Sequence, residues 1–509
     1  MRQSTRLVVN TVATFGRMAL TVGVGLVTTR LFLEALGEVN FGLLSVLGAT
    51  GTMLRLTTIA LTASTQRHLA YEIGRGDKQA MATVFSTALT MFGAVGIALW
   101  VIGQGLVPVI MRWLIIPPDR ADAAWWVYQF TLLGIASSVI LTPYHGIIAA
   151  HQELVISSVV DLISSVLRLL IAVALFLIAA DRLIAFSAMD YATSTGVMIL
   201  LVGLCLRRYP ESRPNWRWVR LAEMRRLAAY AGWSIMGTLA GSLRHQGGVI
   251  LLNLRFGPIV NAAFAISEQI IGYVTHFTGS LTRVVRPAIV VQEARQRRAQ
   301  VHQLALVTGK YSLLVLMGIF IPIWLDADLI LRLWLGELPP HTVILVRLGL
   351  IWSLLLQLAT GHHLALQATG DIGWYTRIVL GLAVATLVAA GVGFYVFGTG
   401  PWALPAAMIM TTVAMVAVAV VMIGRRIELP PRVWLRRMVW RVACVVVPAT
   451  GAALVVNQLV APTPWRILAT AGVYAMLAVP LMWHVALEGW EKEHFRRIAS
   501  RFGRRVGTP

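Results

Sequence analysis

The chain has 509 residues, 58% hydrophobic and 13% charged, with a mean hydropathy of +0.75. A soluble domain averages about 25% charged residues, so a soluble globular class is excluded. The net charge of +21 then reads as the basic excess of cytoplasmic loops facing anionic lipid, not as a nucleic-acid signal.

Apolar segments about 20 residues long recur from end to end. They read as membrane-spanning helices, because a span must satisfy its own backbone hydrogen bonds. Barrel strands would be shorter and alternating. Fourteen spans are expected: 8–32, 41–63, 81–105, 123–145, 155–180, 186–206, 227–254, 259–281, 308–325, 343–368, 374–397, 402–423, 442–460 and 465–487. The opening MRQSTR and its apolar run imitate a signal peptide. Without a small-residue cleavage site they are read as the first span.

With the N-terminus inside, 31 of the 43 Lys and Arg fall in cytoplasmic segments and eight in outer loops and at outer helix ends. That asymmetry places both termini in the cytoplasm. Four arginines lie inside spans: Arg17, Arg55, Arg168 and Arg244. The two cysteines, Cys205 and Cys444, fall near cytoplasmic helix ends, where a disulfide is not expected.

The polar residues within spans follow helical spacing. Span 1 carries Asn10, Thr14, Arg17, Thr21 and Thr28; span 2 carries Ser45, Gly48, Thr52 and Arg55. Span 5 carries Asp161, Ser164, Ser165 and Arg168. Span 7 carries Ser234, Thr238, Gly241, Arg244 and His245. Span 8 carries Glu268, Thr275, His276, Gly279 and Arg283; span 10 carries Gln357, Thr360 and Gly361 beside His362 and His363. Small and hydroxylated residues on one face also serve plain helix packing. An intramembrane arginine is different, costing roughly 2.5–3.5 kcal/mol on insertion scales, so it faces a partner or a wet cavity. Asp161, Asp190 and Glu268 are the acids available. Two readings follow: a structural salt-bridge network, or a basic cavity for an anion such as phosphate, which the guanidinium fork suits. On the second, Arg17, Arg55, Arg168, Arg244 and His245 bind substrate, while Asp161, Glu268 and His276 are candidates for ion coupling.

A shift of about 220 residues aligns three loops. Arg67 meets Arg286, Leu36-Gly37 and Asn40 meet Phe256-Gly257 and Asn261, and His145 with Ala150 meets His363 with Ala368. Two parallel six-span copies would place substrate between them. The expected organisation is an N-lobe (1–206), a basic linker (207–226), a C-lobe (227–424), two further spans (425–487) and a basic amphipathic tail (488–509). The linker holds seven arginines and reads as a connector between lobes. The tail sets Trp490, Phe495, Ile498 and Phe502 against basic residues, as in a helix lying on a leaflet.

There is no P-loop around Gly309-Lys310, which excludes direct ATP use by that motif. Asp326 and Asp328 imitate the DxD of a membrane glycosyltransferase or polymerase; helix capping is the expectation there.

Four stretches resemble one family. They are TRLFLEALGEVNFGLLSVLG (29–48), RHLAYEIGRGD (67–77), the PYHGIIAAHQE stretch (143–153) and LLNLRFGPIVNAAFAI (251–266). Together they are similar to Wzx-type polysaccharide flippases of the multidrug/oligosaccharidyl-lipid/polysaccharide (MOP) exporter superfamily. The resemblance implies an all-α polytopic fold of about 14 transmembrane helices: two six-helix lobes related by a pseudo-twofold along the membrane normal, plus two C-terminal helices. It implies a non-enzymatic flippase of the cell inner membrane that moves undecaprenyl-pyrophosphate-linked oligosaccharide by alternating access. No cofactor is expected beyond an H+ or Na+ gradient. The implied partners are the lipid-linked anionic oligosaccharide, anionic membrane lipids and other polysaccharide-assembly membrane proteins, with no nucleic acid. A cation-coupled multidrug or small-molecule exporter of the same fold is the alternative.

Overall fold

The computed structural model describes residues 3–493 apart from Arg55, Gln152 and Asp371. Within its helices the side chains of 3–20, 56–61, 63, 67, 70, 74, 154–155, 157–158, 228–238, 277, 280–281 and 283–284 lie outside the description. The described chain is helical throughout, with no strand. In order the helices are α1 (Gln3–Leu54), α2 (Leu56–Arg75), α3 (Lys78–Trp113), α4 (Ala121–Ala150), α5 (Leu154–Ala174), α6 (Arg182–Arg208), α7 (Leu221–Phe256), α8 (Pro258–Ala294) and α9 (Arg298–Leu325). They continue as α10 (Ala327–Leu335), α11 (Thr342–Leu358), α12 (Thr360–Thr369), α13 (Gly373–Tyr395), α14 (Ala403–Val418), the short α15 (Gly424–Arg426) and α16 (Pro431–Trp434), α17 (Trp440–Leu459) and α18 (Pro464–Leu481).

Ten described helical segments are long and apolar enough to cross a membrane, or eleven if α11 and α12, bent by 45° at Ala359, form one span. Large apolar residues such as Leu177, Leu200, Met410 and Met476 stand exposed on these helices, as lipid-facing side chains do. This is a multi-pass membrane protein. The count is of the described residues alone. Segment 21–54 holds parts of the first two expected spans in one element. Helices α7 and α8 occupy the seventh and eighth; each includes side chains outside the description, and neither is among the ten.

The break inside α1 is Gly37, at φ 76° and ψ 167°. Gly257, which ends α7, has φ 78° and ψ −174°. That conformation is open to glycine and strained for other residues. The pair aligned at an offset of 220 in sequence therefore shares one backbone geometry, the strongest structural trace of the repeat. The GRGD turn behaves as its residues dictate: Gly76 has φ 72°, and the Asp77 carboxylate accepts from Ala80 N at 2.9 Å to cap α3.

The chain falls into two compact units. Unit 1 is Met1–Ala265 with Thr376–Leu404; unit 2 is Ile266–Tyr375 with Pro405–Pro509. In unit 1, Leu69, Phe85, Tyr144, Ile147, Leu201 and Cys205 form a buried cluster joining α2, α3, α4 and α6. A second cluster of Phe92, Leu99, Ile135, Val139 and Leu227 joins α3, α4 and α7. Helix α1 approaches the start of α8 so closely that a Cβ on Gly42 would lie 1.8 Å from Pro258 O. Unit 2 is built round α9, whose Leu313, Leu316 and Phe320 are buried. There α12 meets α9 backbone to backbone, and a Cβ on Gly361 would lie 2.2 Å from Ala305 O.

Candidate functional site

Unit 1 holds a cavity of about 560 Å³ where α1, α4, α5 and α6 meet. The stripe of expected span 2 supplies Gly48 and Thr52, and that of span 5 supplies Asp161, Ser164 and Arg168. Two stripes read from spacing alone thus converge on one space. Helix α6 adds Asp190 and Tyr191, and α4 adds His145.

The charged groups in this wall are Arg168, Asp161 and Asp190, with His145 titratable. Arg168 Nε lies 3.4 Å from Asp190 Oδ1, with side chains 62% and 33% exposed. Asp161 lies on the α5 face of Arg168, about two turns away. The described lining therefore has two carboxylates for one guanidinium. With both acids ionised and His145 neutral, it carries one net negative charge. His145 Nε2 lies 3.1 Å from the Met198 sulfur. Ser164 and Thr131 give their hydroxyl protons to Val160 O and Val127 O. Their oxygens retain lone pairs able to face a cation or a proton donor.

Of the expected anion-binding residues, Arg168 is in this cavity and is balanced by Asp190. Arg244 is buried on α7 with 5% of its surface exposed, and His245 beside it is half-buried. Neither lines the cavity. The Arg17 side chain and all of Arg55 lie outside the described residues. Of the ion-coupling candidates, Asp161 is in the cavity; Glu268 and His276, half-buried and exposed on α8, do not line it. Asp190 is the acid that sequence reasoning names without giving it a role. Its signal was present: it is one of three acids within the expected spans. Its pairing depends on how α5 and α6 align, which spacing along one helix does not encode.

The expected basic linker is a fastened strap on unit 1. Tyr209 stacks on His151 at 4.4 Å between ring centroids, and His151 Nε2 lies 2.9 Å from Glu211. Arg208 hydrogen-bonds Glu153. Asn215 N donates to Ser86 Oγ at 3.1 Å, and Arg220 N donates to Thr87 Oγ1 at 3.2 Å. Ser212 is wholly buried and Trp216 stands 72% exposed.

Two motifs set aside in the sequence turn out to be structural charge clusters of unit 2. The Asp326 side chain is 0% exposed. It accepts from Asn457 Nδ2 (2.8 Å), Arg466 Nε (2.7 Å) and Thr470 Oγ1 (3.0 Å). The expected capping role is corrected: Asp326 precedes α10 but makes no side-chain cap, because the Arg466 guanidinium and two further donors draw its carboxylate to α17 and α18. Asp328 pairs with Arg332 at 3.0 Å. A metal-binding DxD would need both carboxylates open to a nucleotide sugar, and one is enclosed. Lys310 Nζ donates to Glu491 at 2.6 and 2.8 Å and to Ala486 O at 3.0 Å. Both side chains are at most 3% exposed. The tail reading keeps only its first residues, since 494–509 lie outside the described residues.

No family model and no curated protein matches the sequence. Solved structures do match the fold. A multidrug-resistance MATE family transporter of the MOP superfamily, inward-facing, superposes with TM-score 0.69 at 12% identity, covering 80% of this chain and 94% of its own. The lipid II flippase MurJ, in an inward closed conformation, superposes with TM-score 0.70 at 11% identity, covering 93% and 98%. This chain has their fold. A MOP-superfamily transporter from Pyrococcus furiosus, described as having a binding pocket of reverse polarity that suggests a different function, superposes with TM-score 0.60 at 12% identity, covering 81% and 95%. The fold class expected from the sequence, an all-α polytopic architecture of the MOP kind, is the one observed.

Proposed function

We propose that the protein is a flippase that carries an undecaprenyl-pyrophosphate-linked oligosaccharide from the inner to the outer leaflet of the cytoplasmic membrane by alternating access, for polysaccharide assembly. The observation that carries this reading is the extent of the fold likeness: the lipid II flippase covers 93% of this chain, the multidrug transporter 80%. The four sequence stretches similar to polysaccharide flippases support the glycan. Both termini are assigned to the cytoplasm by the Lys and Arg asymmetry.

The unit 1 cavity suits the coupling step. Charges in apolar helices are costly and are retained where they serve an ion path or a proton relay. A proton or Na+ taken up by Asp190 would loosen it from Arg168 and so change what the guanidinium holds, with Asp161 the other carboxylate in the same wall. Arg17, Arg55 and Arg244 remain the proposed partners of the pyrophosphate, with Glu268 and His276 further candidates for the ion path. Mass spectrometry of lipid-linked intermediates in a deletion strain tests the reading. Accumulation of a complete lipid-linked oligosaccharide is expected; unchanged intermediates with normal surface polysaccharide would overturn it.

A second reading, a cation-coupled exporter of small molecules, is favoured by the excess of carboxylates in the unit 1 cavity. It predicts gradient-driven efflux of cationic dyes and no change in lipid-linked sugars on deletion.

A further inference from the structure

We propose that unit 2 carries a sugar-binding pocket, distinct from the unit 1 cavity, that takes one hydroxyl-rich ring. It lies where α8 meets the bent pair α11–α12 and encloses about 330 Å³, the lower end of the roughly 300–1,000 Å³ typical of small-molecule sites. The polar stripes of the eighth and tenth expected spans meet here.

The chemical class follows from where the hydroxyl protons go. Thr275 donates to Ile271 O (2.8 Å) and Thr282 to Gly279 O (2.9 Å). Thr360 donates to the Gln357 side-chain oxygen (2.9 Å). Gln357 Nε2 in turn donates to Thr278 Oγ1 (3.0 Å), and Thr278 donates to Thr275 O (2.9 Å). Each threonine proton is already spent, so the wall offers hydroxyl lone pairs, which accept. A fully ionised phosphate brings no proton to such acceptors. A sugar hydroxyl brings one, and accepts as well.

The donors are grouped on one side. Arg286 hydrogen-bonds the Gln367 side-chain oxygen. That fixes the guanidinium and leaves the Gln367 amide N–H groups and the remaining Arg286 donors for ring or glycosidic oxygens. No carboxylate lines the pocket among the described residues, so a sugar acid is tolerated and a cation is not favoured. His363 is held by Tyr375 and closes one side.

The inference rests on the flippase reading only for the source of the sugar. Its test uses the full chain in lipid nanodiscs and saturation-transfer NMR with free glucose, galactose, N-acetylglucosamine and glucuronate, with inorganic pyrophosphate as competitor. Transfer to at least one sugar is expected. It should fall at least about fivefold in Thr275→Val/Thr282→Val, one lost hydrogen bond or more. Thr275→Ser/Thr282→Ser, which keeps the oxygens, should restore it. No transfer to any of the four sugars, transfer unchanged by the valine pair, loss in the serine pair as well, or displacement by pyrophosphate would each overturn the proposal. The deletion-strain result is independent of this one: accumulated intermediates without sugar transfer remove the pocket alone, and the converse removes the flippase reading alone.

Discussion

The two units deploy charge in opposite ways. In unit 1 Asp161 and the Arg168–Asp190 pair stand in a cavity, the pair loosely held at 3.4 Å with side chains 62% and 33% exposed. In unit 2 the buried charges are locked: Lys310 with Glu491 at 3% and 2% exposure, and Asp326 under three donors. Among the described residues the unit 2 pocket is lined by hydroxyls, amides, His363, Leu364 and Arg286. Buried pairs hold structure because separating them strands a desolvated charge. Exposed pairs contribute little to stability and are free to exchange partners. On the proposed flippase reading, the labile charges of unit 1 belong to the working cycle and the locked charges of unit 2 to the frame.

Breaking the locked charges should have the largest effect on stability. Lys310→Met leaves Glu491 buried and unpaired, and a loss of about 3–5 kcal/mol is expected. It would be read as a sharply lowered melting temperature of the purified protein. Asp326→Asn keeps one acceptor oxygen, enough for Asn457 or for Thr470 but not both, and removes the charge opposite Arg466, for a loss of about 1–3 kcal/mol. A melt unchanged by either would mean that unit 2's charges are not its frame.

The close helix approaches give a control that should be alike in the two units. Gly42→Ala in unit 1 and Gly361→Ala in unit 2 each push a methyl into a backbone carbonyl, so each should cost about 1–3 kcal/mol through overpacking. Unequal effects would show that one approach relaxes and the other does not. The smallest effect on stability belongs to Asp190→Asn, within about 1 kcal/mol given the exposure of its pair. Surface polysaccharide export should nevertheless be lost.

Much of this contrast was legible in sequence, and the parts that were not share a cause. Helical spacing placed Gly48, Thr52, Asp161, Ser164 and Arg168 on faces that do meet, and likewise Thr275, Gly279, Gln357 and Thr360. The Leu36-Gly37 and Phe256-Gly257 match pointed to a backbone conformation that both glycines adopt. What escaped is long-range. Lys310 read as a failed phosphate loop and Glu491 as part of a surface tail, because nothing local joins residues 181 positions apart. Asp326 read as a cap because its nearest helix starts one residue later, while its partners lie on α17 and α18. The linker read as a connector between lobes; its backbone N–H groups are bonded to Ser86 and Thr87, which composition does not show.

The most direct measurement takes Asp190→Asn and Lys310→Met in parallel through two readouts, the melting temperature of the purified protein and surface polysaccharide in a complemented deletion strain. The account predicts that Asp190→Asn melts like the parent and exports nothing, whereas Lys310→Met melts far lower. Full export by Asp190→Asn, or a Lys310→Met protein as stable as the parent, would contradict it.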